Sequence, residues 1–304
     1  MRILVFGAGA MGSFFGGMLS LRHEVILVGR ADHMQAVRAH GLRISGKTVM
    51  IARPRTASRV PRGARPELVL VTTKAYDTAS AMTQLKAFAK SATFLTLQNG
   101  VDNPDVIART ASRVLAGTTA HGVTFMGPGN IRHAGVGDTV VGPWVGTNDT
   151  DATHARDILA DAGISARVSA DIRTELWAKV VVNASINPLA ALAAVPNGRL
   201  VRDRRLLAVL ERVAREAAAV AREEGARIDA DEIVHRALLV ARRTASNRAS
   251  MLQDLDRHRR TEIDAITGAI VAAGEKTKVD TPLNRALFAL VKAKETALLE
   301  GGAG

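Results

Sequence analysis

The chain has 304 residues, of which 47% are hydrophobic and 23% charged, and it carries a formal net charge of +12. This is the composition of a globular protein long enough for two domains, and the lack of cysteine excludes disulfides and thiolate metal sites. The low aromatic content of 3%, without a concentrated Lys/Arg tract, argues against nucleic acid as the partner of the positive charge.

Residues 2–6 form an apolar run that is too short for a secretory signal or a membrane span, so we expect a cytoplasmic protein with no membrane partner. A glycine-rich turn, a helix to about Ser20 and a second strand over residues 24–28 follow. Three glycines in this context permit a tight turn, the approach of backbone amides to a pyrophosphate, and close helix packing. The predicted cofactor-binding residues of the turn are Gly7, Ala8, Gly9, Ala10, Met11 and Gly12.

The residues after the second strand indicate which dinucleotide is bound. An NAD site usually has Asp or Glu there to accept a hydrogen bond from the ribose, whereas this chain has Gly29 and Arg30. A guanidinium suits a 2′-phosphate, so we favour NADP(H) over NAD(H). The alternative is an arginine that merely follows a strand.

Two further strands are predicted over residues 68–73 and 94–97, and they end in Lys74 and Asn99. Ligands of open parallel sheets sit outside the carboxyl ends of the strands, so both side chains are expected near the nicotinamide half of the cofactor. A solvated lysine and a turn asparagine before glycine are the alternatives.

The pattern changes to short, glycine-punctuated strands over residues 115–142, which predict an antiparallel meander appended to the sheet. His133 lies in this stretch, and we interpret it as structural. A helix over 155–162 and a strand over 166–168 complete an expected first domain, residues 1–169.

From Asp171 onward strand signals disappear, which predicts a helical second domain over residues 170–304. Its first helix is expected to be interrupted at Pro188. Lys179, Asn183 and Asn187 are spaced four apart and therefore share one face of this helix. An ammonium in apolar surroundings can act as a tunable proton donor, although a lysine reaching solvent from a core helix would show the same pattern.

Most sequence features in the remaining chain indicate secondary structure and not a functional site. Residues 196–198, Pro-Asn-Gly, predict a turn, and Glu262 falls in the first turn of a predicted helix, where a carboxylate is favoured by the helix dipole. Thr281 is predicted to cap a last helix that begins at Pro282. Residues 301–304 are expected to fray.

Taken together, these motifs resemble the ketopantoate reductase family over almost the whole chain. The mid-chain and carboxyl-terminal motifs are more specific than the glycine turn. The matching segments are residues 7–12 (GxGxxG), Lys74, residues 98–100 (QNG), residues 175–187 (ExxxKxxxNxxxN), residues 250–254 (SMxxD) and residues 261–264 (TEID).

The resemblance implies an α/β fold, with an amino-terminal Rossmann-type domain that binds NADP(H) and a carboxyl-terminal all-α domain. It also implies reduction of 2-dehydropantoate to (R)-pantoate in pantothenate and coenzyme A biosynthesis. Lys179 matches the catalytic proton donor, and Glu262 the acidic residue that orients the lysine and the substrate and lies by the cofactor. Implied substrate-binding residues are Asn99, Asn183, Asn187, Asn247 and Ser250; Asn99 would also contact the cofactor.

Two other functions remain open at the level of the sequence. One is a related reductase that acts on a different 2-oxo acid with the same lysine chemistry. The other is a non-catalytic NADPH-binding sensor, which would not need to retain Lys179, Asn183, Ser250 and Glu262. The expected partner is a small-molecule 2-oxo acid, and a homodimer is possible because helical domains of this kind often pair.

Overall fold

The computed structural model describes residues 1–301. The chain folds into two compact units: one comprises Met1–Gln98 and Asn103–Glu175, and the other comprises Asn99–Asp102 and the chain from Leu176 onward. The first unit is α/β and the second is helical, which confirms the predicted fold class. The predicted boundary between residues 169 and 170 remains a prediction.

The first unit is built on an eight-stranded sheet. Its order is β12-β11-β8-β7-β6-β1-β2-β5. The six strands from β8 to β5 are parallel, whereas β11 runs antiparallel to β8 and β12 runs parallel to β11. These strands are β1 (Arg2–Phe6), β2 (Glu24–Val28), β5 (Arg55–Ala57), β6 (Leu68–Val71), β7 (Thr93–Thr96), β8 (Val114–Thr119), β11 (Thr139–Val145) and β12 (Ala166–Val168).

A second sheet corrects the predicted meander. Only β8 and β11 of residues 115–142 join the large sheet, whereas the strands between them pair with residues that follow the second helix, in the order β4-β3-β10-β9. The sequence could not show this, because β10 pairs in parallel with a strand more than eighty residues away. The strands are β3 (Leu42–Gly46), β4 (Met50–Ala52), β9 (Gly122–Gly127) and β10 (Asn130–Gly135).

Helices cover both faces of the large sheet, as its continuous apolar strands require. Phe14 and Phe15 pack on one face with the apolar side of α5, and Met82 and Leu85 pack on the other. The helices are α1 (Ala10–Leu19), α2 (Ala31–His40), α3 (Thr78–Leu85), α4 (Asn103–Ala108) and α5 (Asp149–Asp161).

The second unit surrounds one long apolar helix, α6. The amphipathic helix α8 contributes Leu210, Val213, Ala217 and Val220 to the same core, which follows from their helical spacing. The helices are α6 (Ile172–Ala193), α7 (Asn197–Arg202), α8 (Arg204–Glu223), α9 (Ala230–Arg243), α10 (Ser250–Asp256), α11 (Ala269–Thr277) and α12 (Pro282–Gly301).

Two predicted breaks are wrong. Helix α6 continues through Pro188 to Ala193, because Pro188 is buried in the core, where packing outweighs the cost of about 3 kcal/mol for an interior proline. Pro196 is not the start of a simple turn but the N-cap of α7. An uninterrupted α6 keeps Asn187 on the same face as Lys179 and Asn183.

Helix α12 begins at Pro282 as predicted, but the Thr281 side chain does not cap it. The Thr281 hydroxyl has no hydrogen-bond partner within residues 1–301. Instead, the Glu216 carboxylate of α8 accepts bonds from the backbone amides of Leu283 and Asn284, both at 3.1 Å. A carboxylate forms stronger bonds with these amides than a hydroxyl does. The expected fraying falls mainly on residues 302–304, which lie outside the described residues; Gly301 is helical.

Within residues 1–301, α6 is long and apolar enough to cross a membrane, with a mean hydropathy of 1.3, but 78% of that window is buried inside the structure. Central helices of globular folds have the same composition.

Candidate active site

The glycine turn joins β1 to α1 and has the form of an anion-binding loop. Gly7 has a positive φ of 106°, and the Thr72 hydroxyl fixes the turn by donating to the carbonyls of Phe6 and Gly7 at 3.2 and 3.1 Å. The first turn of α1 has no acidic residue, so none of its own side chains offsets the positive end of the helix dipole.

The three glycines differ in why they lack a side chain. A Cβ at Gly7 would lie 2.6 Å from the Thr73 nitrogen, and one at Gly12 would lie 2.2 Å from the Gly7 oxygen. These two glycines are therefore required by the fold itself. At exposed Gly9, the nearest protein atom to a Cβ would be 4.0 Å away. A glycine that the protein does not need is what the approach of a pyrophosphate would require.

Arg30 is the exposed N-cap residue of α2, at the carboxyl end of β2. Next to it, His33 is 1% exposed and connects α2 to its surroundings. Its Nδ1 accepts from the Gly129 amide at 2.8 Å, which leaves Nε2 to donate to the Ser13 hydroxyl at 2.9 Å. Burial lowers the pKa of His33, so a neutral imidazole fastens α2 to α1. Sequence reasoning missed this residue.

At the ends of β6 and β7 a buried amide organises the loops. The Gln98 amide nitrogen donates to the Thr73 carbonyl and the Thr78 hydroxyl, at 2.9 and 2.8 Å, and its oxygen accepts from Thr96 at 2.9 Å. Lys74 follows β6 and caps a short 3-10 turn, and its side chain is only partly exposed. Gln98 therefore fixes the backbone from which Lys74 projects.

Helix α6 presents the predicted polar face. Lys179 and Asn183 are partly exposed, and Asn187 is 7% exposed, whereas their neighbours Trp177 and Val181 are 3% and 0% exposed. None of the described residues hydrogen-bonds the Asn187 side-chain amide, and neither of its polar atoms is fully buried. The amide is therefore accessible to a ligand.

Glu262 lies close to this face, although more than eighty residues separate it from Lys179. It is 7% exposed, and its Oε2 accepts from the Asn99 side-chain amide at 3.0 Å. The expected helix start is not regular: residues Asp264–Gly268 form a π-helical turn before α11, a feature that is frequent at functional sites. Glu262 is thus held by a side chain instead of facing only the helix dipole.

The electrostatics of Lys179 and Glu262 are coupled. Burial lowers the pKa of the Lys179 ammonium from 10.5 to about 8, and the Glu262 carboxylate partly offsets this by raising it. The lysine is therefore a weaker base than in water, but it is still protonated at neutral pH. That is the state required of a proton donor with a well-matched pKa.

The other two candidate residues are farther along the chain and exposed. Asn247 lies between α9 and α10, where its backbone carbonyl accepts a hydrogen bond from the backbone amide of Asn197 at 3.0 Å. Ser250 is the first residue of α10. Within residues 1–301 no hydrogen bond joins either of them to Lys179 or Glu262.

Comparison with known proteins identifies the family of the chain. The model of the family "Ketopantoate reductase PanE/ApbA" matches residues 3–146, and the model of its carboxyl-terminal part matches residues 171–295. A 2-dehydropantoate 2-reductase of Archaeoglobus fulgidus is 38% identical, with 98% of this chain and 99% of that protein covered. That of Halobacterium salinarum is 39% identical, with 96% and 98% covered.

Solved structures give the same result for the fold. A PanE/ApbA family ketopantoate reductase from Ralstonia eutropha superposes with a TM-score of 0.91 at 36% identity, covering 98% of this chain and 99% of its own. D-mandelate dehydrogenase, in a ternary structure with NADH and anilino(oxo)acetate, gives a TM-score of 0.93 at 29% identity, with the same coverage.

The fold and the family match therefore define an oxidoreductase of the dinucleotide-dependent class. More specifically, the chain belongs to the ketopantoate reductase family, since the two family models together match most of its length.

Proposed function

We propose that the protein reduces 2-dehydropantoate to (R)-pantoate with NADPH, in the pathway to pantothenate and coenzyme A. The observation that carries the proposal is the coupled pair on the second unit: a partly buried lysine whose pKa is lowered to about 8, facing the charge of a buried glutamate. The names of relatives at 34–39% identity over nearly the full length support the choice of substrate.

The residues of this chain supply the acid catalysis. The bound dinucleotide provides the hydride that reduces the ketone. Lys179 donates a proton to the carbonyl oxygen as negative charge develops there, and Glu262 helps to keep that lysine protonated at neutral pH. Asn99 fixes the Glu262 carboxylate by its 3.0 Å bond.

The remaining site residues bind and orient the ligands. Asn183, Asn187 and Asn247 bind the carbonyl and hydroxyl groups of the substrate, and Ser250 binds its carboxylate. On the first unit, a pyrophosphate would contact the amides of residues 7–12, where only Gly9 lacks an internal reason for being glycine. Lys74 and Asn99 contact the nicotinamide half, with Glu262 beside it.

Arg30 selects NADPH by binding the 2′-phosphate with its exposed guanidinium. Arg30→Ala should weaken NADPH much more than NADH. The matched control is Arg22→Ala, which removes an exposed arginine ahead of β2, at the opposite end of that strand. Equal losses for the two dinucleotides would mean that Arg30 does not read the phosphate.

The substrate assignment is tested by following NADPH oxidation with 2-dehydropantoate against a panel of 2-oxo acids. A clear preference for 2-dehydropantoate is expected. Lack of turnover with every substrate would refute catalysis and leave a dinucleotide-binding sensor.

A second candidate is a reductase of another 2-oxo acid. It is favoured by the likeness to D-mandelate dehydrogenase, at a TM-score of 0.93 over 98% of the chain. The panel should therefore include an aryl 2-oxo acid, and a preference for that compound would select this candidate. NADH should be assayed beside NADPH for the same reason.

A further inference from the structure

A buried carboxylate on α12, Glu295, has no part in the chemistry proposed above. It is 4% exposed, and carboxylates are almost never buried to this extent unless they are paired. Its Oε2 accepts a hydrogen bond of 2.6 Å from the backbone amide of Thr261, the residue before Glu262. This short, charge-assisted bond connects the last helix to the segment that presents the site's acidic residue.

The backbone on the amino-terminal side of Glu262 is not helical. Helix α10 ends at Asp256, and the α-helical turns of α11 begin only at Ala269. Between them, the Glu262 carbonyl accepts from Ala265 and Ile266, which places the residue at the entrance of the π-helical turn. The Thr261 amide has no helical partner there, since the first amides of a helix have none.

Glu295 is itself held in place by a small ionic cluster. Its Oε1 accepts from the Lys292 ammonium at 3.3 Å, and the same ammonium contacts Asp264 at 3.2 Å. Arg260 pairs with the same Asp264 carboxylate oxygen, also at 3.2 Å. The cluster ties α12 to residues immediately before and after Glu262.

We propose that Glu295 is a positioning residue for Glu262, and through it for the protonation of Lys179, by holding the Thr261 amide. This inference rests on the proposed function, because it concerns the same pair of residues. Loss of the bond would let the segment move, and shifts of about 1 Å in catalytic groups reduce rates by up to about a hundredfold.

Two variants of Glu295 separate its hydrogen bond to the Thr261 amide from its negative charge, and a third variant is a control. Glu295→Gln keeps an oxygen acceptor at the same reach but removes the charge, whereas Glu295→Asp keeps the charge and withdraws the acceptor from Thr261 by one methylene. Glu216→Ala is the control, since it removes a carboxylate that anchors the other end of α12. Each variant is characterised by kcat, KM, the pH dependence of kcat/KM and the unfolding midpoint.

We expect Glu295→Asp to lower kcat about tenfold or more, with KM for NADPH unchanged. In the pH profile of kcat/KM, the activity of Glu295→Asp should fall at a lower alkaline pH than that of the wild type. The reason is that a displaced Glu262 carboxylate no longer raises the pKa of Lys179. Glu295→Gln should retain kcat within about threefold and the wild-type pH profile. Glu216→Ala should unfold more easily and keep both kinetic properties.

A Glu295→Asp enzyme with the wild-type kcat and pH profile overturns the proposal. The reverse pattern, in which Glu295→Gln is impaired and Glu295→Asp is not, also overturns the proposal. It would mean that the negative charge of Glu295, and not its hydrogen bond to the Thr261 amide, supports activity. If a variant yields too little folded protein for kinetics, the pH dependence of unfolding of the other variant still reports the Lys179 pKa. Absence of turnover in the wild type would instead refute the proposed function and leave that measurement valid.

Discussion

The charged Lys179 side chain should lower the free energy of unfolding of the protein. Its pKa is about 8 in the folded protein, against 10.5 for an ordinary lysine, with burial as the main cause. That difference corresponds to about 3 kcal/mol at neutral pH, where the lysine is charged in both the folded and the unfolded state. Because the side chain is partly exposed, solvent reduces the expected cost to about 2 kcal/mol.

Replacing Lys179 by Met tests this number. Met has a similar length and no charge, so Lys179→Met should raise the free energy of unfolding by about 2 kcal/mol at pH 7. The same variant should lose activity by a factor of about 10² to 10⁴, the usual contribution of a positioned general acid. A more stable and inactive enzyme is thus the expected result.

The pH dependence separates the charge from the packing of the new side chain. Between pH 8 and 10.5 the unfolded chain binds more protons at Lys179 than the folded chain does, so the wild type gains stability as pH rises. The stability difference from Lys179→Met should therefore shrink across this window. All other titratable groups are shared by the two proteins and cancel.

The measurement is urea denaturation at several pH values between 7 and 10.5, for wild type and variant. Lys276→Met is the control, since Lys276 is exposed and pairs with Glu224 on the surface, and its effect should be small at every pH. A Lys179→Met protein that is less stable than the wild type at pH 7, or a difference that is constant with pH, would refute the reasoning.

Three other predictions concern the glycine turn, the histidines and a helix end. Gly9→Ala should weaken dinucleotide binding at least tenfold and change the free energy of unfolding by less than about 1 kcal/mol. Gly12→Ala should lower the free energy of unfolding by about 3 kcal/mol in urea denaturation, because its Cβ would lie 2.2 Å from a carbonyl oxygen. Equal effects of the two variants on folding would contradict the different roles given to these glycines. Burial lowers the pKa of His133, and it lowers that of His121 to about 4. As pH decreases from 6.5 toward 4, the unfolded chain therefore binds these protons before the folded chain does, and the free energy of unfolding should fall. An unfolding midpoint that stays constant between pH 6.5 and 5 would exclude this. Lys278→Gly should raise the melting temperature, since Lys278 ends α11 with a φ of 64° and a left-handed residue other than glycine costs about 1 kcal/mol; a decrease would show that its side chain is needed.

The sequence by itself determined the local elements that contain the candidate site residues. The strand, glycine turn and helix at residues 2–20 are specified within one short segment, because the turn geometry depends only on the glycines and their neighbours. The spacing of Lys179 and Asn183 on α6 is equally local, since four residues always return to the same face of a helix. The family resemblance followed from such motifs.

The tertiary structure decided what depends on interactions between distant segments. Whether α6 continues through Pro188 depends on burial, which no local pattern reports. Likewise, β10 pairs with β3, which lies more than eighty residues earlier in the chain. The pKa of Lys179 is set by desolvation and by Glu262, and the 2.6 Å bond from Thr261 to Glu295 spans 34 residues. Such interactions depend on distances in space. The sequence could therefore name Lys179 as a catalytic candidate, but it could not name Glu295, the carboxylate that we propose supports Glu262.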